Sequence, residues 1–151
     1  YMTYEQLQEL YDLLFKTMGL FHERFLRQFP KESRQYPGIK KNHIMIIGFL
    51  YQNHVLTATQ IAKMLNMKKG SLTTLIDQLE KLDLVVRHND TNDRRKSLIS
   101  LTDAGKLEIE DIMKSSVQCM GKILSNTDPE DLSKFVDSLK YAVKFMQKLR
   151  R

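Results

Sequence analysis

LTATQIAKMLNMKKGSLTTLIDQLEKLDLVVRHNDTNDRRKSLISLT, residues 56–102, holds two helix patterns followed by two strand patterns. Thr57 and Gln60 make a capping box, in which hydroxyl and amide each satisfy a backbone N–H of the first turn. Ile61, Ala62 and Leu65 give that short helix its inner face, and Asn66-Met67 breaks it. A second helix runs from about Lys68 to Leu82, with Leu72, Leu75, Ile76, Leu79 and Leu82 inward. Leu84-Val85-Val86-Arg87 and Leu98-Ile99-Ser100-Leu101 then read as strands around the turn formers Asn89-Asp90-Thr91-Asn92-Asp93. Two helices, a tight turn and a basic hairpin make a winged helix-turn-helix, a shape that fits duplex DNA.

The flanks carry helices. Tyr4–Phe29 is expected as one helix with a wide apolar stripe from Leu7 to Leu26, ended by Pro30. Lys31–Gly38 reads as loop, and Lys40–Tyr51 as a second helix that is apolar from Ile44 to Leu50 and so buried on most sides. Thr102 caps a fifth helix with Asp103 at its positive end. Asp128-Pro129-Glu130-Asp131 starts a sixth, which carries Leu132, Phe135, Val136, Leu139, Ala142, Val143, Met146 and Leu149 at spacings of three and four. The fold class is mainly α with a small β-hairpin wing. It is one domain over 1–151, with a DNA-binding lobe at 40–102 and dimerisation helices at 4–29 and 103–151. The terminal helices carry more apolar surface than a small winged lobe can cover, so a homodimer is expected.

With 42% hydrophobic and 28% charged residues, the 151-residue chain has an ordinary globular composition. The net charge of +6 favours a polyanionic partner. That charge is concentrated locally in Lys68-Lys69 and Arg94-Arg95-Lys96. The single cysteine, Cys119, excludes an intrachain disulfide framework and suits a reducing cytosol; among Val117, Met120 and Ile123 it is expected to be buried and inert. No apolar run is long enough to span a bilayer, and the opening residues do not predict a secretory leader, so a cytoplasmic setting is expected. There is no Gly-rich phosphate loop or nucleophile motif, so no enzyme activity and no cofactor are expected.

Three stretches in order resemble the MarR family of bacterial transcriptional regulators. Residues 56–66 resemble the first helix of its helix-turn-helix, and 68–85 its recognition helix and exit. Residues 93–105 resemble its wing signature, Asp-x-Arg followed by Leu-Thr-x-x-Gly. The resemblance covers nearly the whole chain. It implies a dimeric repressor on a pseudo-palindromic operator, its two half-sites about one turn, ~10–10.5 bp, apart. The chain departs from the family at Lys68, where a capping side chain is usual, and at Asp83, where glycine usually ends the helix in the left-handed region.

The expected DNA contacts fall in two groups. On the recognition helix, Lys68 and Lys69 suit guanine or phosphate, Ser71, Thr73 and Thr74 suit base edges, and Gln78 suits adenine. On the wing, Arg95 holds by resemblance the minor-groove position, Asp93 orients it, and Arg94 and Lys96 add charge for phosphates. Taken alone, the helix residues also describe a plain solvated face.

A small aromatic or anionic ligand is the expected effector. Its candidate cleft lies between the first two helices, at Phe15, Met18, Phe21, His22, Phe25, Lys41, Ile44, Met45 and Ile47, where His22 or Lys41 would hold a carboxylate. These residues read equally well as core. His22, His43, His54 and His88 lack the spacing of a helical metal pair, so no metal site is expected. Some family members sense zinc through the first, second and fifth helices; His43 matches one such position, but the fifth helix here has no histidine. The family's peroxide sensors carry a cysteine on the first helix, and this chain has none there. Two other readings stand: a DNA-binding regulator without an effector, and a winged-helix protein-interaction module.

Overall fold

The computed structural model describes residues 1–149. Arg150 and Arg151, the end of the expected 103–151 region, lie outside the described residues. The elements are α1 (Tyr4–Arg24), α2 (Lys41–Asn53), β1 (Val55–Thr57), α3 (Ala58–Leu65), α4 (Lys69–Lys81), β2 (Val85–Asn89), β3 (Ser97–Leu101), α5 (Asp103–Ile123) and α6 (Pro129–Lys148).

The core lies in the middle of the chain. Ile46, Ile47 and Leu50 of α2 meet Ile61 of α3, Leu72, Ile76 and Leu79 of α4, Leu84, Ile99 of β3, and Ile109 and Ile112 of α5. Each such side chain, taken fully from water, contributes about 1.5–3 kcal/mol before entropy is counted. The sequence signals for the helix starts hold. Thr57 Oγ1 accepts from Gln60 N at 3.1 Å while Thr57 N donates to Gln60 Oε1 at 2.8 Å. Thr102 Oγ1 accepts from Gly105 N at 3.0 Å, and Asp128 Oδ2 from Asp131 N at 3.0 Å. Asn66 (φ 50°) and Asp83 (φ 58°) end α3 and α4 in the left-handed region, where Asn and Asp are the best-tolerated side chains after glycine.

Two expectations change. The first helix stops at Arg24, not Phe29. Phe25 leaves helical geometry, a 3-10 turn follows over Leu26–Gln28, and Phe29 is extended before Pro30. Proline dictates only the residue before it; the chain reaches that extended residue through a tighter turn. The sheet also has three strands, in the order β1-β3-β2. Leu56 of β1 pairs with Ile99, and Val86 of β2 with Ser100. Val55–Thr57 is too short to show an alternation, and its pairing partner lies far along the chain.

A buried polar contact fixes the loop before α2. Ser33 Oγ donates to Glu108 Oε1 at 2.5 Å and accepts from Tyr36 N at 3.0 Å. Both Ser33 and Glu108 are buried. By contrast, α1 and α6 contain no buried residue. Leu7, Leu14, Phe15 and Met18 of α1, and Phe135, Leu139, Phe145 and Met146 of α6, stand exposed. Among the described residues, no helix is long and apolar enough to cross a membrane.

Candidate nucleic-acid interface

Helix α4 buries Leu72, Ile76 and Leu79, so its remaining faces are free for other work. Lys68, Lys69, Ser71, Thr73, Thr74 and Gln78 are all exposed. No side chain caps the start of α4, as Lys68 at that position implies, so its first amides stay open at the positive end of the helix dipole. Two hydroxyls are turned inward: Thr73 Oγ1 donates to Lys69 O at 2.9 Å and Thr74 Oγ1 to Gly70 O at 3.3 Å. Their oxygens can still accept, and rotation frees the protons.

Gln78 departs from its expected use. Its Oε1 lies 2.6 Å from Nε2 of His43, a buried residue of α2. Adenine recognition by glutamine takes both the oxygen and the nitrogen of the amide. With the oxygen turned inward to His43, the nitrogen is the end of the amide that faces outward. Sequence reasoning treated His43 as a metal-ligand candidate alone and missed this pairing. Among the described residues no group of three or more His, Cys, Asp or Glu converges as a metal site would require.

The wing tip is shaped by its own carboxylates. Asp90 Oδ1 accepts from Asn92 N at 2.9 Å, and Asp93 Oδ1 from Arg95 N at 3.0 Å. Arg95 Nε donates to Asp93 Oδ1 at 3.1 Å, yet the arginine side chain remains 91% exposed. The Arg95 side-chain hydrogen bond, aided by the Arg95 backbone N–H and by the charge of Lys96, holds the Asp93 carboxyl below its ordinary range. Asp93 therefore orients Arg95, as the wing signature implies, while Arg94 and Lys96 project freely.

The two groups of basic residues meet. Lys69 of α4, Arg95 and Lys96 of the wing, and Thr57, Ala58, Thr59 and Gln60 at the start of α3 line one open hollow. A second shallow hollow between α3 and α4 is edged by Lys63, Lys68 and Lys69. Arg87 of β2 locks α4 to the sheet. Its Nη2 donates to Glu80 at 3.1 Å and also binds Asp77. Those two hydrogen bonds, Glu80 first, push the guanidinium further above its ordinary value. A lone charge inside an apolar strand was the one sequence signal for this clamp.

The expected ligand residues are not gathered into a cleft within one chain. Phe15, Met18 and His22 lie exposed on α1, Phe25 is half-buried at its end, and Lys41 and Met45 are exposed on α2. Among the described residues the main packing partner of helix α1 is its own 3-10 extension rather than α2. The aromatic stripe read as a cleft lining is an open surface here. Cys119 is half-buried rather than buried, and its Sγ lies 3.4 Å from the carbonyl oxygen of Gln28.

Comparison with known proteins fits this geometry. Residues 39–97, from the start of the winged lobe to the end of the wing tip, match the model of the MarR family. The HTH-type transcriptional repressor MdtR of Bacillus subtilis is 28% identical over 101 residues, which are 67% of this chain. The chain spans 65% of that relative's length. A MarR family protein from Bacillus stearothermophilus aligns over 98% of this chain and 100% of its own, with a TM-score of 0.70 at 20% identity. FabT of Streptococcus pneumoniae, solved in complex with DNA, aligns over 98% of this chain and 100% of its own, with a TM-score of 0.62 at 22% identity. At such identities these two structures speak for the fold alone. The family match thus falls on residues 39–97, which run from the start of α2 to the wing tip, and this segment is the MarR-like part of the chain.

Proposed function

We propose that this chain is a sequence-specific DNA-binding transcriptional repressor that acts as a homodimer. The observation that carries the reading is the hollow where Lys69, Arg95 and Lys96 converge beside the open N-terminal turn of α4. Three cations and unpaired helix amides on one face suit a phosphate backbone crossing between the grooves. On this reading α4 enters the major groove, with Lys68, Lys69, Ser71, Thr73 and Thr74 toward the duplex. The wing reaches the minor groove with Arg95, and Arg94 meets phosphate. That FabT, whose fold is similar, was solved in complex with DNA supports the DNA-binding reading.

The exposed apolar faces of α1 and α6 support the dimer, since a lone chain leaves them in water. A second copy covering them would also supply the missing wall beside Phe15, Met18, His22, Phe25, Lys41 and Met45. A small aromatic or anionic ligand seated there would release DNA by favouring a spacing of the two winged lobes that misses one half-site. A tenfold preference for that state is worth ~1.4 kcal/mol.

Salt dependence tests the DNA reading. For a dimer with two wings, Arg94→Ala should reduce the slope of log affinity against log salt by about 1.8, twice the ~0.9 per phosphate of B-DNA. An unchanged slope and affinity in Arg94→Ala/Arg95→Ala would exclude the wing from the interface. Leu139→Glu in α6 should lower the sedimentation mass to that of a monomer or cause aggregation. Titrating salicylate and related phenolic acids into the DNA complex tests the effector; a panel that neither dissociates it nor raises the melting temperature favours a regulator without one.

A further inference from the structure

His43 and Gln78 form one hydrogen-bonded unit whose polarity follows from its geometry. His43 is 6% exposed, in the first turn of α2. Its Nδ1 accepts the backbone N–H of Lys40 at 3.0 Å. A ring nitrogen that accepts carries no proton, so in the neutral imidazole the proton sits on Nε2. Nε2 lies 2.6 Å from Gln78 Oε1 and is therefore the donor. An isolated glutamine amide can be turned either way, but here the ring selects one orientation. The oxygen faces inward, and the NH2 group is the polar end left outside.

Gln78 lies one turn beyond Thr74 and two turns beyond Ser71, and all three are exposed residues of α4. A free glutamine there would offer an acceptor and a donor together, the pattern that matches adenine. A glutamine whose oxygen is turned inward to the His43 ring presents its NH2 group, a donor, outward. Guanine presents two acceptors in the major groove, N7 and O6, and thymine presents O4.

We propose that His43 is a positioning residue for base recognition: by holding Gln78 Oε1 it makes Gln78 a donor toward DNA, selecting guanine over adenine at one position of each half-site. This assignment rests on the DNA-binding reading above. It differs from a purely structural role for His43, which would affect folding or overall affinity and leave the ranking of bases at any position untouched.

The test is selection of bound duplexes from a DNA library with a randomised core, repeated for wild type, His43→Ala and Gln78→Glu. The wild type should prefer guanine at one symmetric position by about fivefold to tenfold. His43→Ala frees the amide and should cut that preference to under about twofold at that position only, with the salt slope unchanged. Gln78→Glu keeps an acceptor for His43 but places an oxygen outward, and should move the preference to cytosine, whose N4 donates. Gln78 is exposed, so this variant stays informative if His43→Ala does not fold. Wild-type base preferences at every position in a folded Gln78→Glu protein would overturn the proposal, as would a loss spread evenly over all positions. A wild type that enriches no sequence at all would instead overturn the DNA reading, and this assignment with it.

Discussion

A methyl group on Gly105 would stand 2.0 Å from the carbonyl oxygen of Leu84. That oxygen also accepts the N–H of Thr102 at 3.1 Å, and Thr102 Oγ1 donates to Asp83 O at 2.6 Å. The first turn of α5 is thus pressed onto the segment that joins α4 to β2. Only a residue without a side chain allows that approach.

Gly105→Ala should therefore force backbone apart rather than fill space. Overpacking typically costs about 1–3 kcal/mol, and more where the opposed atom is backbone. Thermal unfolding should report a clear fall in melting temperature. An unchanged midpoint would mean that the contact between α5 and Leu84 is looser than described.

His54, between α2 and β1, has φ 66° and ψ −54°, a region close to the strained γ-turn. It carries a side chain where glycine would be relaxed. His54→Gly should raise stability by about 1 kcal/mol, the strain released less the added freedom of the unfolded chain. Denaturant titration with unchanged slope would read this directly, and a loss of stability would show that the His54 side chain earns its place through contacts.

Arg87 neutralises Asp77 and Glu80 on α4. These groups are partly exposed, so Arg87→Ala should cost under about 1 kcal/mol of stability. The two freed carboxylates would nonetheless sit on the recognition helix and repel phosphate, so DNA affinity should fall by more than stability does. Asp77→Asn added to Arg87→Ala should recover part of that affinity. No recovery in the double variant would place Asp77 away from the DNA.

The Asp93–Arg95 contact at the wing tip should be lost only in acid. The folded Asp93 carboxyl titrates below its ordinary value of 3.8, chiefly because Arg95 binds it. Its contact with Arg95 is therefore fully present above 3.8 and is lost as pH falls through the lowered folded value. NMR titration of the Asp93 carboxyl should give a midpoint under 3.8 that moves up toward it in Arg95→Ala. A wild-type midpoint at or above 3.8 would exclude the contact in solution.

What the sequence disclosed about the fold followed the range of each signal. Thr57 with Gln60, Thr102 with Gly105, and Asp128 with Asp131 act over three residues, and each could be read directly. The wing and its Asp93–Arg95 pair are equally local. The links that escaped reading join distant residues: Leu56 to Ile99, Ser33 to Glu108, His43 to Gln78 and Arg87 to Asp77. Apolar periodicity locates a helix face without saying which neighbour covers it. The α1 stripe was read partly as a cleft lining for that reason, although among the described residues it contains no buried side chain.

The placement of β1 carries a consequence for how the molecule assembles. The β2–β3 ribbon closes over a short connection and can zip early and on its own. Leu56 meets Ile99 only after α3, α4 and β2 have all been laid down between them, so β1 has a far larger loop to close. As a three-residue edge strand it also has little to hold it once the far side loosens. The last piece of the sheet to arrive should thus be the first to leave: in native-state hydrogen exchange the amides joining β1 to β3 should open at lower free energy than those joining β2 to β3.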